Sequence, residues 1–337
     1  MLSKLFEAIY HKVLVNIVVE RARTIVYVEV CSKKNVVSRI EEEFNTTKLD
    51  SAMYDFIHSF MKESPYYYIS ILDTSASQGA IPTCSKHKLQ EYADLTTAEY
   101  KCHNNEWAYY TSKNDMITMQ KEYDSIGLDY IFSPFSILAH FFNDKINNNL
   151  AMYVLVQDSF LSVAVFEKSE LLYAHHLDMM TKDDLDDMSL NEDLENSDVL
   201  LNEDVSIELD DIEVANEFED FANIEDLDAI EEIDEFSENK DIEEELLESE
   251  ETLAPANDTE FNEDYQRFSL IQASVGQFYK NDMYESRFIE NVYVADCVGV
   301  TSDFKKYLEE EMFFNVYVRH AEIAPEVCEL AKMELGI

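Results

Sequence analysis

The sequence predicts an α/β protein with two lobes of similar design, each a hairpin-rich sheet followed by helices. Strongly β-prone stretches pair at Lys12–Val19 and Thr24–Cys31, and the same pairing returns at Leu150–Gln157 and Leu161–Glu167. Segments with helical periodicity follow each pair, as expected when a sheet buries one face under helices. A long acidic stretch, Asp183–Asp264, interrupts the second copy.

The first lobe is predicted over residues 1–147, including the helices that link it to the second lobe. Its third strand lies near Asn35–Ile40, and Leu49–Lys62 has helical spacing of apolar residues until Pro65 ends it. The remaining predicted elements are a strand at Tyr66–Leu72, a loop-rich stretch at Asp73–Glu99 with turns at Gly79 and Pro82, a strand at Trp107–Thr111, a helix at Lys113–Ser125 ended by Gly127, a strand at Leu128–Phe132 and a helix at Phe135–Phe142.

The second lobe is predicted to begin in residues 148–182 and to be completed by residues 265–337. A strand at Leu171–Leu177 extends its hairpin. Beyond the acidic stretch we predict a helix at Phe268–Tyr279, a strand at Phe288–Ala295, a helix at Asp303–Met312, a strand at Asn315–Arg319 and a helix at Pro325–Met333.

The charge of the chain is concentrated in the acidic stretch. Asp183–Asp264 holds 36 Asp or Glu residues and one base, Lys240, so it carries −35 of the total −46. Such a field repels nucleic acids and anionic membranes and favours basic partners or solubility, so no nucleic-acid partner is expected.

The same stretch is predicted to be an insert that forms no compact core on its own, because one base cannot offset its charge. Two interpretations stay open. The insert is a solvated spacer, or it is a recognition segment that folds on a partner through one apolar side. The apolar candidates for that side are Phe218, Phe221, Ile224 and Leu227.

The chain is expected to be cytoplasmic. Met1–Val15 has the amphipathic pattern of a short helix without a signal-peptide core, and the longest apolar stretches are too short and polar to span a membrane. The five cysteines follow no framework spacing, so reduced thiols are expected. Cys84, His87, Cys102 and His103 only loosely match a zinc pattern, and no metal is predicted.

Three stretches carry a resemblance to a known family. Asn114–Phe142 looks like the helix, "GL" turn, strand and helix that link the lobes of the PilM family of actin-like pilus-assembly proteins, and of the similar cytoplasmic domain of the type II secretion protein GspL. Leu150–Leu177 resembles the opening of their second lobe, and Phe288–Val318 resembles their strand, adenosine-contact turn, helix and strand. The resemblance implies an actin-like fold of two ribonuclease-H-like lobes, whose first lobe holds a peptide of an inner-membrane partner in a groove.

Nucleotide binding in that fold depends on glycine amides that approach phosphates and on carboxylates that hold Mg²⁺. The chain has only five glycines, and the first turn, Glu20–Arg23, contains none. At the second and third turns only the degenerate positions Asp158, Asp296 and Gly299 remain. We therefore expect no catalytic residues and no cofactor, and we interpret Arg21 and Arg23 as surface arginines of a hairpin.

The sequence gives only weak support for any other catalytic or metal-binding site. His175 and His176 are expected at the surface, Asp183–Asp187 lacks the glycine and final Glu of a calcium loop, and Cys297 is expected to be a core thiol. The loop containing Gln78, Gly79, Ile81 and Pro82 is a candidate partner-binding groove wall or merely a turn.

Three functions follow as hypotheses. The first is a non-catalytic cytoplasmic scaffold of a type IV pilus, type II secretion or DNA-uptake machine, lying at the inner membrane through its partners. It would dock an inner-membrane assembly protein and also a motor ATPase. The alternatives are an active actin-like ATPase and an acidic, chaperone-like binder of basic proteins.

Overall fold

A computed structural model describes residues 10–179, 258–281, 283–284 and 286–337. The acidic insert lies outside these ranges apart from residues 258–264. Its candidate recognition residues Phe218, Phe221, Ile224 and Leu227 are therefore not described.

The first sheet is built on two buried strands rich in β-branched residues. β1 (Lys12–Val19) runs antiparallel to β2 (Thr24–Ser32) and parallel to β4 (Tyr66–Leu72). The edges are β3 (Asn35–Phe44) beside β2 and β8 (Tyr130–Phe132) beside β4, giving the order β3-β2-β1-β4-β8.

The second sheet repeats this design. Its order is β11 (Glu170–Asp178), β10 (Phe160–Glu167), β9 (Ala151–Val156), β12 (Asn291–Asp296) and β13 (Asn315–His320). The first three strands are antiparallel and the last two run parallel to β9, as in the first sheet. The predicted two-lobed α/β architecture is confirmed.

Each sheet is covered on its outer face by helices of its own lobe. In the first lobe, α1 (Ser51–Met61) begins at Asp50, whose carboxylate accepts a hydrogen bond from the Met53 N–H at 2.8 Å. Helix α1 buries apolar side chains against the strands. The second lobe uses α6 (Asp258–Lys280) and α7 (Ser302–Glu310) in the same way.

The inner faces of the two sheets share one apolar core with two crossing helices. α4 (Pro134–Phe141), which is followed by the short α5 (Asn143–Ile146), leaves the first lobe and packs on β9 and β10. α8 (Ile323–Leu335) leaves the second lobe and packs on β1, β2 and β4. Each lobe is therefore completed by a helix from the other half of the chain.

A buried charge fixes α8 to the first lobe. Glu29 of β2 is 1% exposed, and its carboxylate contacts the Lys332 ammonium and accepts a hydrogen bond from Arg39 Nε at 2.8 Å. The Cys328 thiol also donates to it at 3.5 Å. Burial alone would raise the pKa of Glu29, but the bonds from Lys332 and Arg39 hold that pKa below its ordinary value.

A small sheet lies between the lobes, where a loop-rich stretch and one strand, Trp107–Thr111, were predicted. β5 (Gln78–Ile81), β7 (Trp107–Ser112) and β6 (Ala98–His103) pair antiparallel in that order, and α2 (Lys86–Tyr92) precedes β6. Strand β5 packs against β11, while Lys101 of β6 bonds Glu334 of α8 at 2.6 Å. The prediction of a loop-rich Asp73–Glu99 is wrong for this reason.

Two further details complete the fold. α3 (Lys113–Glu122) follows β7 directly, and the Ser112 hydroxyl caps its N-terminus. The helix predicted over Met1–Val15 is wrong at its described end, because Lys12–Val15 belongs to β1. Within the residues that the structure describes, no helix is both long and apolar enough to cross a membrane.

Candidate functional site

The first candidate site is the cleft between the lobes, where the β1–β2 turn meets the β9–β10 turn. The Arg21 backbone N–H donates to Asp158 Oδ2 at 2.9 Å, and the Arg21 guanidinium donates to the Asp158 carbonyl. Arg21 is thus a bridge between the lobes and not the surface arginine that we predicted. The degenerate position Asp158 is its acceptor.

An ionic network continues from Arg21 along α6. Arg21 Nη1 lies 3.2 Å from Glu263 Oε1, and the other oxygen of Glu263 accepts from Arg267 at 2.8 Å. Arg267 also pairs with Asp264 at 2.6 Å, and both of these side chains are buried. The second Asp264 oxygen accepts the Thr301 N–H at the start of α7. One chain of charges therefore joins the first lobe to two helices of the second.

The backbone amides of the third turn also bond to a side chain of the protein itself. Asp296, at the end of β12, accepts hydrogen bonds from the backbone N–H groups of Val298, Gly299 and Val300 at 2.9 to 3.1 Å. Gly299 has φ +80°, a conformation that suits glycine. The carboxylate of Asp296 thus fills the concave nest of amides that would otherwise face an anion.

Groups of these turns that could meet the phosphates of a nucleotide are already bonded within the protein. The β1–β2 turn presents a guanidinium bound to the opposite lobe, and the amides of the third turn already bond a carboxylate. Asn16, the polar residue of β1, is fully buried and bonds Ser70 and the Tyr27 carbonyl.

The second candidate site is a cavity of about 440 Å³ between β8 and the small sheet, which we name the first-lobe groove. No other described strand pairs with the outer edge of β8, which borders it. Its apolar and aromatic lining includes Tyr100, Tyr109, Tyr110, Met116, Leu128, Tyr130, Ile131 and Phe132. Its charged lining consists of Asp73, Glu99, Lys101 and Asp129, three acids against one base. Burial raises the pKa of Asp73.

The predicted groove residues lie behind this lining. Gln78, Gly79 and Ile81 are buried in β5, and Pro82 lies in a separate hollow beside Tyr92. Gly79 still shapes the groove, because a Cβ there would lie 2.7 Å from the Tyr110 hydroxyl. The absent side chain lets the Tyr110 ring pack over β5 and face the groove. We did not predict the lining itself, since β8 and β6 carry no motif in the sequence.

Two of the five cysteines differ from the expectation of reduced thiols. Cys84 and Cys102 form a disulfide, whereas Cys31, Cys297 and Cys328 are free thiols. Among the described residues no group of three His, Cys, Asp or Glu side chains could hold a metal ion.

The Cys297 thiol is largely buried, and the His176 ring is buried. Burial raises the pKa of the Cys297 thiol well above its ordinary range. His176, expected at the surface, is 8% exposed, bonds Ser162, and has its pKa lowered by burial to about 4.

Comparison with protein families divides the chain between two descriptions. Residues 10–139 match the Domain of unknown function (DUF8569), and residues 152–336 match the Domain of unknown function (DUF8341). No curated protein matches the sequence.

Several solved structures are similar. A Bacteroides thetaiotaomicron protein with an actin-like ATPase fold and unknown function is 12% identical with a TM-score of 0.50, over 94% of this chain and 95% of that one. A PilM–PilN type IV pilus biogenesis complex is 10% identical with a TM-score of 0.44, over 91% and 88%. The ethanolamine utilization protein EutJ from Carboxydothermus hydrogenoformans is 8% identical with a TM-score of 0.37, over 91% and 84%. The first likeness confirms the predicted actin-like fold, and membership of the PilM family stays a prediction.

Proposed function

The chain belongs to the family described as Domain of unknown function (DUF8341), and we propose that it is a non-catalytic scaffold whose first-lobe groove binds an extended segment of a partner protein. The observation that carries this proposal is the groove itself. It places an open strand edge beside apolar and acidic side chains.

The cleft supports a role without catalysis. A protein that closes around a ligand by domain motion needs lobes that can move relative to each other. Here the lobes are tied by the Arg21–Asp158 bridge, by the crossing helices and by the small sheet, which contacts both lobes. Trp107 of the small sheet, for example, packs edge-on against Phe166 of β10 at 5.9 Å. These contacts favour two lobes that keep one relative position, as a scaffold requires.

The groove supports a partner of defined chemistry. A peptide added to the edge of β8 would gain backbone hydrogen bonds, and alternate side chains would enter the apolar lining. Because three acids and one base line the groove, the complementary segment carries Lys or Arg between apolar residues. The bound base would also compensate the buried carboxylate of Asp73.

The sequence resemblance supplies the partner class. We propose that the bound segment belongs to an inner-membrane assembly protein of a pilus, secretion or DNA-uptake machine. A motor ATPase is the proposed second partner, and the protein acts in the cytoplasm. A chaperone-like role of the acidic insert is the alternative. Deleting residues 183–257 would abolish function under that alternative and leave groove binding intact under this proposal.

We expect fluorescent ten-residue peptides of alternating leucine and lysine to bind the full chain, and leucine–glutamate peptides not to bind. N-methylation of alternate peptide nitrogens should abolish binding, since it removes the donors that pair with β8. Replacing Glu99→Lys in the groove should weaken the leucine–lysine peptide about tenfold, or ~1.4 kcal/mol. Fluorescence anisotropy measures each affinity.

The matched control is Glu309→Lys on α7, which makes the same change of charge beside a lysine outside the groove. It should leave the affinity unchanged. Equal losses for both variants, or full binding of the N-methylated peptide, would show that the acidic surface attracts the peptide and would refute the groove as its site.

We also expect Mg-ATP to leave the melting temperature unchanged. A nucleotide present at a hundred times its dissociation constant would add about 2.7 kcal/mol to the free energy of unfolding. Differential scanning calorimetry with and without millimolar Mg-ATP tests this. A clear upward shift would favour the actin-like ATPase instead.

A further inference from the structure

The disulfide between Cys84 and Cys102 lies in the small sheet. Its Cα atoms are 5.7 Å apart, within the usual disulfide range of about 4.4–6.8 Å. Cys84 lies between β5 and the start of α2, and Cys102 lies on β6, so the bond ties the two outer parts of the small sheet. Both residues are partly exposed and thus within reach of a dissolved thiol.

The small sheet has little apolar core of its own. Its cluster contains only three fully buried side chains, Ile81, Leu89 and Ala108. A core of this size stabilises a fold weakly, and small folds often depend on a covalent link. The disulfide therefore adds a covalent tie to the pairing of β6 with β7 and to the Lys101–Glu334 ion pair.

The other three cysteines are buried or largely buried and lie outside the small sheet. Cys31 and Cys328 are buried beside Glu29, and Cys297 is largely buried, with burial raising the pKa of each thiol. A thiol reagent would thus reach Cys84 and Cys102 first, because reactivity follows access and the thiolate fraction.

We propose that Cys84 and Cys102 form a reversible thiol–disulfide exchange site that sets the rigidity of the small sheet. In the reducing direction one low-molecular-weight thiolate attacks the bond and forms a mixed disulfide with one cysteine, and a second thiolate then attacks the sulfur of the first reagent in that mixed disulfide. One S–S bond breaks, two protein thiols form, and the reagent leaves as its own disulfide. Oxidised glutathione reverses the exchange.

Exchange at this site controls the first-lobe groove. Glu99, Tyr100 and Lys101, directly before Cys102 on β6, form one wall of the groove. Loss of the bond would free that wall while β8 and the sheets stay in place. This consequence for partner binding rests on the proposed function, whereas the effect on the small sheet does not.

The test uses the full chain equilibrated in glutathione buffers of increasing reducing strength. Alkylation and mass spectrometry should show Cys84 and Cys102 changing together, with Cys31, Cys297 and Cys328 as thiols throughout. Reduction should speed amide hydrogen exchange several-fold in residues 82–103. It should also shift the emission of Trp107, the only tryptophan, which is 2% exposed between the small sheet and Phe166.

Two variants sharpen the result. Cys84→Ser with Cys102→Ser should behave like the reduced chain in any buffer, while Cys297→Ser should respond like the natural protein. Unchanged exchange of residues 82–103 on reduction, or failure of the pair to oxidise, would overturn the proposal. If the double variant does not fold, the natural chain with and without dithiothreitol still decides it. Peptide binding absent in both redox states, with exchange still responding, would count against the proposed function alone.

Discussion

Replacing Lys332→Met is expected to lower the free energy of unfolding by about 3–5 kcal/mol, the cost typical of leaving a buried charge unpaired. Glu29 is 1% exposed and would retain only one cationic partner, Arg39, whose own side chain is 61% exposed. The loss should appear as an earlier midpoint in urea, followed by Trp107 fluorescence and by far-ultraviolet circular dichroism.

Two further variants define the origin of this loss. Arg39→Gln removes the exposed partner and should cost much less than Lys332→Met, because solvent screens an exposed partner. Glu29→Met combined with Lys332→Met removes both charges and should recover much of the stability, because apolar replacement of a buried pair is often neutral. A double variant as unstable as Lys332→Met would show that packing of the lysine stem, and not the charge, is what matters.

The same pair gives a pH dependence with a defined sign. The pKa of Glu29 is lowered in the folded protein, so its contribution is complete above the ordinary glutamate value and is lost as pH falls through the lower, folded value. Urea titrations should therefore show an acid-side decline in the natural chain. That decline should be shallower in the Glu29→Met and Lys332→Met double variant.

Replacing Arg267→Met is expected to cost a similar amount, about 3–5 kcal/mol. Asp264 is 1% exposed and would keep only the Thr301 N–H, while Glu263 would lose one of its two arginines. Because this network joins α6 to α7 and to the opposite lobe, the loss should extend to the cleft. Hydrogen exchange should rise in the β1–β2 and β9–β10 turns.

The matched control for Arg267→Met is Lys306→Met on α7. Lys306 pairs with Asp303 at 2.9 Å, but both side chains are largely exposed. Its loss should change stability far less than the loss of Arg267, because exposed ion pairs contribute little. Comparable costs for the two variants would mean that the cleft network adds no more than a surface ion pair.

The sequence predicts the elements of the two large sheets well because burial dominates them. β1 and β4 have the predicted bounds, since runs of β-branched or aromatic residues between polar turns identify strands directly. In the small sheet only the central strand β7 was predicted, at Trp107–Thr111, and β5 was missed because it is a four-residue strand that contains Gly79. Helix α2 likewise shows a single buried residue, Leu89, so it has no period to detect.

The cleft was predicted only in part, for a different reason. The scarcity of glycine is visible in a sequence, and it led us to expect that three turns lack the phosphate-binding pattern. The partners of those turns are not visible, because Arg21 meets Asp158 137 positions later and Glu263 242 positions later. Contacts at such separations depend on the assembled lobes, so no local pattern distinguishes a bridging arginine from a surface one.

The crossing helices have a consequence for biosynthesis. The inner face of the first sheet is covered by α8, which leaves the ribosome only after every strand of the second lobe. A nascent chain therefore exposes the apolar inner side of β1 and β2 throughout translation of the acidic insert and of β12 and β13. Because folding by distant contacts is slow, this interval is when the chain most needs protection from aggregation. The strongly charged insert is synthesised within that same interval, where its repulsion would keep neighbouring nascent chains apart.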